Sequence, residues 1–198
     1  MTKFDRSEVE DAFKNYFFTG IIGEDWVAWS RLFTDDATYK DHYWGTFHGP
    51  KEIEMFLEGT MSLAAHVYTP LIWYNIDNDR VVWKGINRAD NPDPDGEPFG
   101  FESLQILHYA GDGKWKSEED WWIAYESKRF AIEYQAACDR IDPNYRTKIS
   151  RRDWGNWVDW ARPEPGHVVS PSWLGKDVAP IDTLRDIDFG VRNPTTSR

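Results

Sequence analysis

The chain has almost no cysteine. Cys138 is the only one in 198 residues, so no intrachain disulfide can form, and a reducing, cytoplasmic setting is the expectation. It lies in the helical stripe Tyr134, Ala137, Cys138, Ile141, where a thiol acts as a small buried hydrophobe. No uncharged run of about 18 apolar residues occurs, and the first twenty residues are charged and amphipathic. Neither a membrane span nor a leader is therefore expected. Basic residues are also scarce: 23 Lys and Arg against 34 Asp and Glu leave a net charge of −11. That balance argues against nucleic acid and anionic membrane surfaces as partners. The one local basic cluster, Arg146, Lys148, Arg151 and Arg152, reads as a solvated helix face.

Motifs of several chemistries are missing as well. Histidines 42, 48, 66, 108 and 167 form no close helical pair, so no metal site is expected. No Gly-rich phosphate loop opens a helix, and no Gly-x-Ser-x-Gly elbow occurs. Cofactor-free acid–base chemistry remains.

Aromatic residues are abundant: 12 Trp, 9 Tyr and 11 Phe can fill a core or line an apolar ligand pocket. The periodicity predicts three helices followed by a sheet. Ser7 to Glu10 reads as a capping box, with Val9, Ala12, Phe13, Tyr16 and Phe17 as one buried helical face. Gly20 and Gly23 break that helix, Asp25 caps a second, and Pro50 opens a third carrying Ile53, Phe56, Leu57 and Met61. Strands are predicted at 37–44, 71–76, 81–88, 99–109 and 114–124, with turns at Asp77-Asn78-Asp79 and Gly111-Asp112-Gly113. This is an α+β pattern, with a curved antiparallel sheet wrapped around N-terminal helices. Beyond it, Phe130 to Ile141 predicts a helix and 149–161 another, before an irregular arm over 163–198. The expected division is a domain at 1–130 and an extension at 131–198 packed on it.

Side chains alternate along a strand, so Tyr39, Asp41 and Tyr43 are expected on one face. A carboxyl group on that face, such as Asp41, has the means for acid–base chemistry when an apolar pocket and a neighbouring arginine surround it. Desolvation raises a carboxyl pKa, and a guanidinium holds a neighbouring carboxylate ionised, so such a group can accept a proton at one atom and donate one at another.

The stretch 25–58 carries a family resemblance. A tryptophan-bearing helix runs into Leu32-Phe33-Thr34-Asp35-Asp36-Ala37-Thr38, then comes a strand, then Gly49-Pro50 and an amphipathic helix. That order resembles the nuclear transport factor 2-like superfamily and its SnoaL-like, ketosteroid isomerase-like and dehydratase-like branches, over residues 6 to 130. The resemblance implies a cone-shaped fold around a deep apolar pocket, and a homodimer packed through the sheet faces. Compared with ketosteroid isomerases, Asp41 falls on the general-base position and Tyr16 near the oxyanion-hole tyrosine, while Gln105 stands where the second acid would be. His66 is similar to the histidine that leads into the sheet in scytalone dehydratase-like proteins. Limonene epoxide hydrolases use an Asp-Arg-Asp arrangement. There Arg88-Ala89-Asp90 lies near the matching strand end and Asp120 on the last strand, in a shifted register, and Tyr39 and Asp41 occupy the Tyr and Asn places.

The implied function is a cofactor-independent acid–base enzyme of cyclase, dehydratase or isomerase type. Its substrate would be a hydrophobic small molecule such as a polyketide, terpene or steroid. Asp41 is the base, His66 the acid or base partner, Arg88 and Asp120 the charge-setting pair, and Tyr16 or Tyr39 the donor to an oxyanion. An epoxide hydrolase and a non-catalytic small-molecule-binding or assembly module are the alternatives.

Overall fold

Helix α1 (Arg6–Tyr16) buries Val9, Ala12, Phe13 and Tyr16, the face its spacing predicts. The capping box does not form. The helix begins one residue before Ser7, Asp5 is the N-cap without a side-chain bond, and the Glu10 carboxylate instead accepts the Tyr74 hydroxyl at 2.6 Å. Gly20 does not break the helix either: the chain widens into a π-helical turn, Phe17–Ile22, and stops at Gly23. Gly20 serves close packing, because a Cβ there would stand 2.2 Å from Cδ1 of the buried Trp29 ring. The computed structural model describes residues 4–187.

Asp25 caps α2 (Trp26–Ser30) by accepting the Ala28 amide at 2.9 Å. Strands β1 (Phe33–Asp41) and β2 (Gly45–His48) precede α3 (Gly49–Met61), whose first turn holds Pro50. After β3 (Leu71–Asp77), β4 (Arg80–Ala89), β5 (Phe99–Gly111) and β6 (Lys114–Trp122) comes α4 (Ala124–Ile141). The strands join in the order β2-β1-β6-β5-β4-β3. Every pairing is antiparallel except β1 with β6, which is parallel and makes the sheet mixed. The β5–β6 turn places Asp112 at φ 51° and Gly113 at φ 71°, the conformation that an Asp-Gly hairpin loop requires.

β1 ends sooner than its alternation suggests. Asp41 Oδ1 accepts the amides of Tyr43 and Trp44, each at 2.7 Å, turning the chain toward β2. Tyr43 therefore leaves the shared face and is exposed.

The helices cover the concave sheet face over a core that includes Trp29, Trp83, Trp115, Phe13 and Phe17. A smaller cluster joins Phe130, Tyr134 and the buried Cys138 of α4 to Ala89, with Phe99 and Phe101 packed against it.

Residues 149–161 are not helical. Tertiary partners claim their backbone: the Arg152 amide and the Ser150 hydroxyl both donate to the buried Asp90, and the Asp153 amide donates to the Tyr68 hydroxyl. The basic cluster does not lie on a helix face, since only a single 3₁₀ turn, Tyr145–Thr147, forms there; Arg146, Lys148 and Arg152 are exposed as expected, and Arg151 is the exception. Arg151 is buried, donating to Glu24 Oε1 at 2.7 Å and to the Ala65 carbonyl at 2.8 Å, and Arg152 reaches Asp90 at 3.4 Å. Trp154 joins the main core and Trp160 packs edge-on against Phe13 and Phe17, while Trp157 stays half exposed. The arm drapes over the domain through Ser172 and Ile181, whose amides donate to the carbonyls of Glu24 and Gly59. Of the arm expected over 163–198, residues 188–198 lie outside the described residues.

Candidate active site

Parallel pairing of β1 with β6 sets Tyr39 opposite Glu118 and Asp41 opposite Asp120. Asp41, Asp120 and Tyr39 border a cavity of about 420 Å³, walled by Phe56, Phe101, Phe130 and Trp122 and completed by His66 and Asn87. Two carboxyl groups from neighbouring strands thus face one largely apolar chamber.

Their surroundings differ. Asp41 is buried and accepts three N–H bonds: Tyr43 and Trp44 on Oδ1, and Trp122 Nε1 on Oδ2 at 3.0 Å. Burial pushes its carboxyl above the usual range, and the three donors oppose that by favouring the charged form. A carboxylate offers about four lone-pair sites, so one on Oδ2 remains for a proton from the chamber. Asp120 accepts from Gln105 Nε2 at 3.1 Å and from the Tyr39 hydroxyl at 3.3 Å. Burial first, and the charge of Asp41 second, push its carboxyl up to about 7. Asp41 is accordingly the charged member and Asp120 the one that keeps its proton toward neutral pH. Burial, followed by Asp120, raises the Tyr39 phenol well above its ordinary value, so it stays a hydrogen-bond donor.

The other expected residues are distributed differently. His66 lines the chamber, stacked on Tyr134 at 4.7 Å between ring centroids. Its Nδ1 meets the Arg146 carbonyl at 3.2 Å; a carbonyl only accepts, so Nδ1 carries the proton and Nε2 is the acceptor. Burial, aided by Arg151 and Arg146, lowers its pKa to about 4, so the ring is neutral at pH 7 and is no imidazolium acid.

Arg88 does not set the charge of Asp120. It binds Asp153 at 2.5 Å, its guanidinium 5.3 Å from the Trp157 ring, and it is not among the chamber-lining residues. Its neighbour Asn87 is, because adjacent strand residues face opposite ways. Tyr16 is also off the chamber, with its hydroxyl donated to Glu118 Oε1 at 2.8 Å. Glu118 is a further buried carboxyl beside the pair, outside the chamber lining. Alternation on β6 puts it on the face of Asp120, and burial first, then the charge of Asp120, push its carboxyl well up. That alternation, Glu118, Asp120, Trp122, was the available signal for both Glu118 and Trp122.

Among the described residues, no group of three or more His, Cys, Asp or Glu side chains is placed to hold a metal ion, and no helix is long and apolar enough to cross a membrane.

None of the curated proteins matches the sequence significantly. Solved structures of similar fold include a protein from Jannaschia sp. CCS1 described as a SnoaL-like polyketide cyclase. It is 16% identical with a TM-score of 0.52, over 65% of this chain and 96% of that one. An LEH-like epoxide hydrolase from M. tuberculosis superposes with a TM-score of 0.52 at 14% identity, over 68% and 96% of the two chains. The epoxide hydrolase/cyclase-like enzyme SalBIII, described in pyran ring formation in polyether salinomycin, gives 0.50 at 17%, over 62% and 95%. At such identities the likeness establishes the fold. The SnoaL-like domain description matches residues 15–118, more than half of the sequence. The chain belongs to the SnoaL-like domain family.

Proposed function

We propose that this protein is a cofactor-independent acid–base enzyme of cyclase, dehydratase or isomerase type, acting on a hydrophobic small molecule such as a polyketide, terpene or steroid. The observation that carries this reading is the Asp41–Asp120 pair, two adjacent carboxyl groups on one largely apolar chamber, one accepting three N–H bonds and the other two bonds, from an amide and a phenol. Asp41 removes a proton from carbon through the open lone pair of Oδ2. Asp120, protonated and steadied by Gln105 and Tyr39, delivers a proton to the substrate oxygen as charge develops there. The neutral His66 orients the substrate through Nε2 rather than supplying the proton.

Epoxide opening through an Asp-Arg-Asp arrangement draws no support from the geometry, since Arg88 is committed to Asp153. The assembly we propose is a homodimer through the outer sheet face, where Trp73, Trp121 and Ile123 are exposed; a monomeric mass by light scattering would remove it.

The test of the chemistry is solvent-deuterium exchange into a panel of apolar cyclic ketones, because enolisation is the half-reaction these activities share. Wild-type protein should exchange the α-protons of at least one ketone about 100-fold or more faster than Asp41→Asn, the scale of general-base catalysis. Equal exchange by both proteins, with each still binding the ketone, would leave a non-catalytic pocket.

A further inference from the structure

The chamber that holds Asp41 and Asp120 has a neighbour. A second cavity, of about 500 Å³, shares Leu63, His66 and Ala131 with the first. His66 is the partition between them, fixed by its stack on Tyr134 and its bond to the Arg146 carbonyl. Eight of the twelve residues lining the second cavity lie beyond residue 118, where the family match ends. The outer chamber is therefore built mainly by this chain's own C-terminal elements.

Its walls are largely apolar, with Leu63, Tyr134, Trp173 and Leu174, yet Arg146 stands among them. The Arg146 guanidinium meets the neutral Gln135 Oε1 at 2.5 Å and, among the described residues, has no carboxylate partner. The acids nearest in sequence are engaged elsewhere: Asp139 accepts the Gln135 amide at 2.6 Å, and Asp142 binds Lys148 at 2.6 Å. The charge acts on the shared wall, since Arg146 contributes to keeping His66 neutral. Arg146, exposed at the cavity's edge beside the neutral polar side chains of Ser62, Gln135 and Thr147 and without an acid partner among the described residues, offers planar donors suited to a carboxylate.

We propose that the two chambers form one elongated site whose outer half binds the acidic end of the substrate, with Arg146 as the specificity residue. The substrate class is then a carboxylate-bearing molecule, apolar where it reacts. This rests on the reading of the inner chamber as the reacting end.

The experiment is calorimetric titration with biphenyl-4-carboxylate and its neutral analogue 4-phenylbenzyl alcohol, on wild type and Arg146→Gln, with nitrogen-15 NMR of the complex. The carboxylate should bind wild type about tenfold or more tighter than the alcohol, the scale of a charge-assisted hydrogen bond. Arg146→Gln should abolish that preference while leaving the alcohol's affinity unchanged. The carboxylate should also move the amide signals of both Asn87, in the inner chamber, and Thr147, in the outer. Equal affinities, an equal loss for both probes, binding of neither, or signals moving in one chamber alone would overturn the proposal. The readout is binding, so it stands apart from deuterium exchange: either test can fail while the other succeeds.

Discussion

Replacing Asp41 by Asn removes the charge beside Asp120 at nearly constant side-chain size, which makes it the sharpest probe of the carboxyl pair. Neighbouring strands lie about 4.8 Å apart, and two unit charges about 5 Å apart interact by about 3 kcal/mol at an effective dielectric constant of about 20. At about 1.4 kcal/mol per pH unit that amounts to about two pH units. Three N–H donors spread part of the Asp41 charge, so the expected movement of the Asp120 midpoint is smaller, from about 7 to about 5–6. The substitution also turns an amide NH₂ toward Trp122 Nε1, another donor, costing about 1 kcal/mol of stability. Carbon-13 NMR of protein labelled at the aspartate carboxyl carbons, followed through an acid-to-alkaline titration, reads the Asp120 midpoint in both proteins. An unchanged midpoint in the variant, or an ordinary carboxylate midpoint in wild type, would refute the account of the pair.

Asp120 should also make stability fall with pH. Its native carboxyl titrates at about 7 and an unfolded one at about 3.9, so between these values the native state holds the extra proton and unfolding becomes easier as pH rises. The ceiling is about 4 kcal/mol, and about half is expected because Asp120 borders the cavity; Asp120→Asn should thus be more stable than wild type above about pH 7, with the advantage vanishing below about pH 4. Urea melts of both proteins at the two ends of that range check the sign, and a difference that does not grow with pH contradicts it. Arg151→Met strands the buried Glu24, whose carboxyl burial already raises, and should cost about 3–5 kcal/mol by denaturation; adding Glu24→Gln should recover part of it. Gly20→Ala drives a methyl into Trp29 and should cost about 1–3 kcal/mol, whereas a mere helix-breaking glycine would gain stability from alanine.

The fold was legible because its signals are local. Helical spacing in α1 and α3, the Asp25 cap, Pro50 and the turn chemistry at Asn78 and Asp112 each act within a few residues. Errors arose where a distant partner outweighed the local preference. Asp90 and Tyr68 hold 150–153 out of a helix, and Tyr74 takes Glu10 from its capping box. At the site, Asp41, Asp120 and Tyr39 converge on the chamber and His66 reaches its edge, while Arg88 misses it because Asn87 holds the inward register.

By itself, then, the sequence determined the α+β pattern, the aromatic interior and the inward face of β1, all consequences of periodicity and composition. The tertiary structure decided what those residues do. Parallel pairing of β1 with β6 set Asp120 beside Asp41; burial and the Asp41 charge raise the Asp120 carboxyl, while three N–H donors favour the charged form of Asp41. A carboxyl group's charge state depends on burial and on the charges within a few ångströms, and those neighbours are assembled only when distant parts of the chain meet.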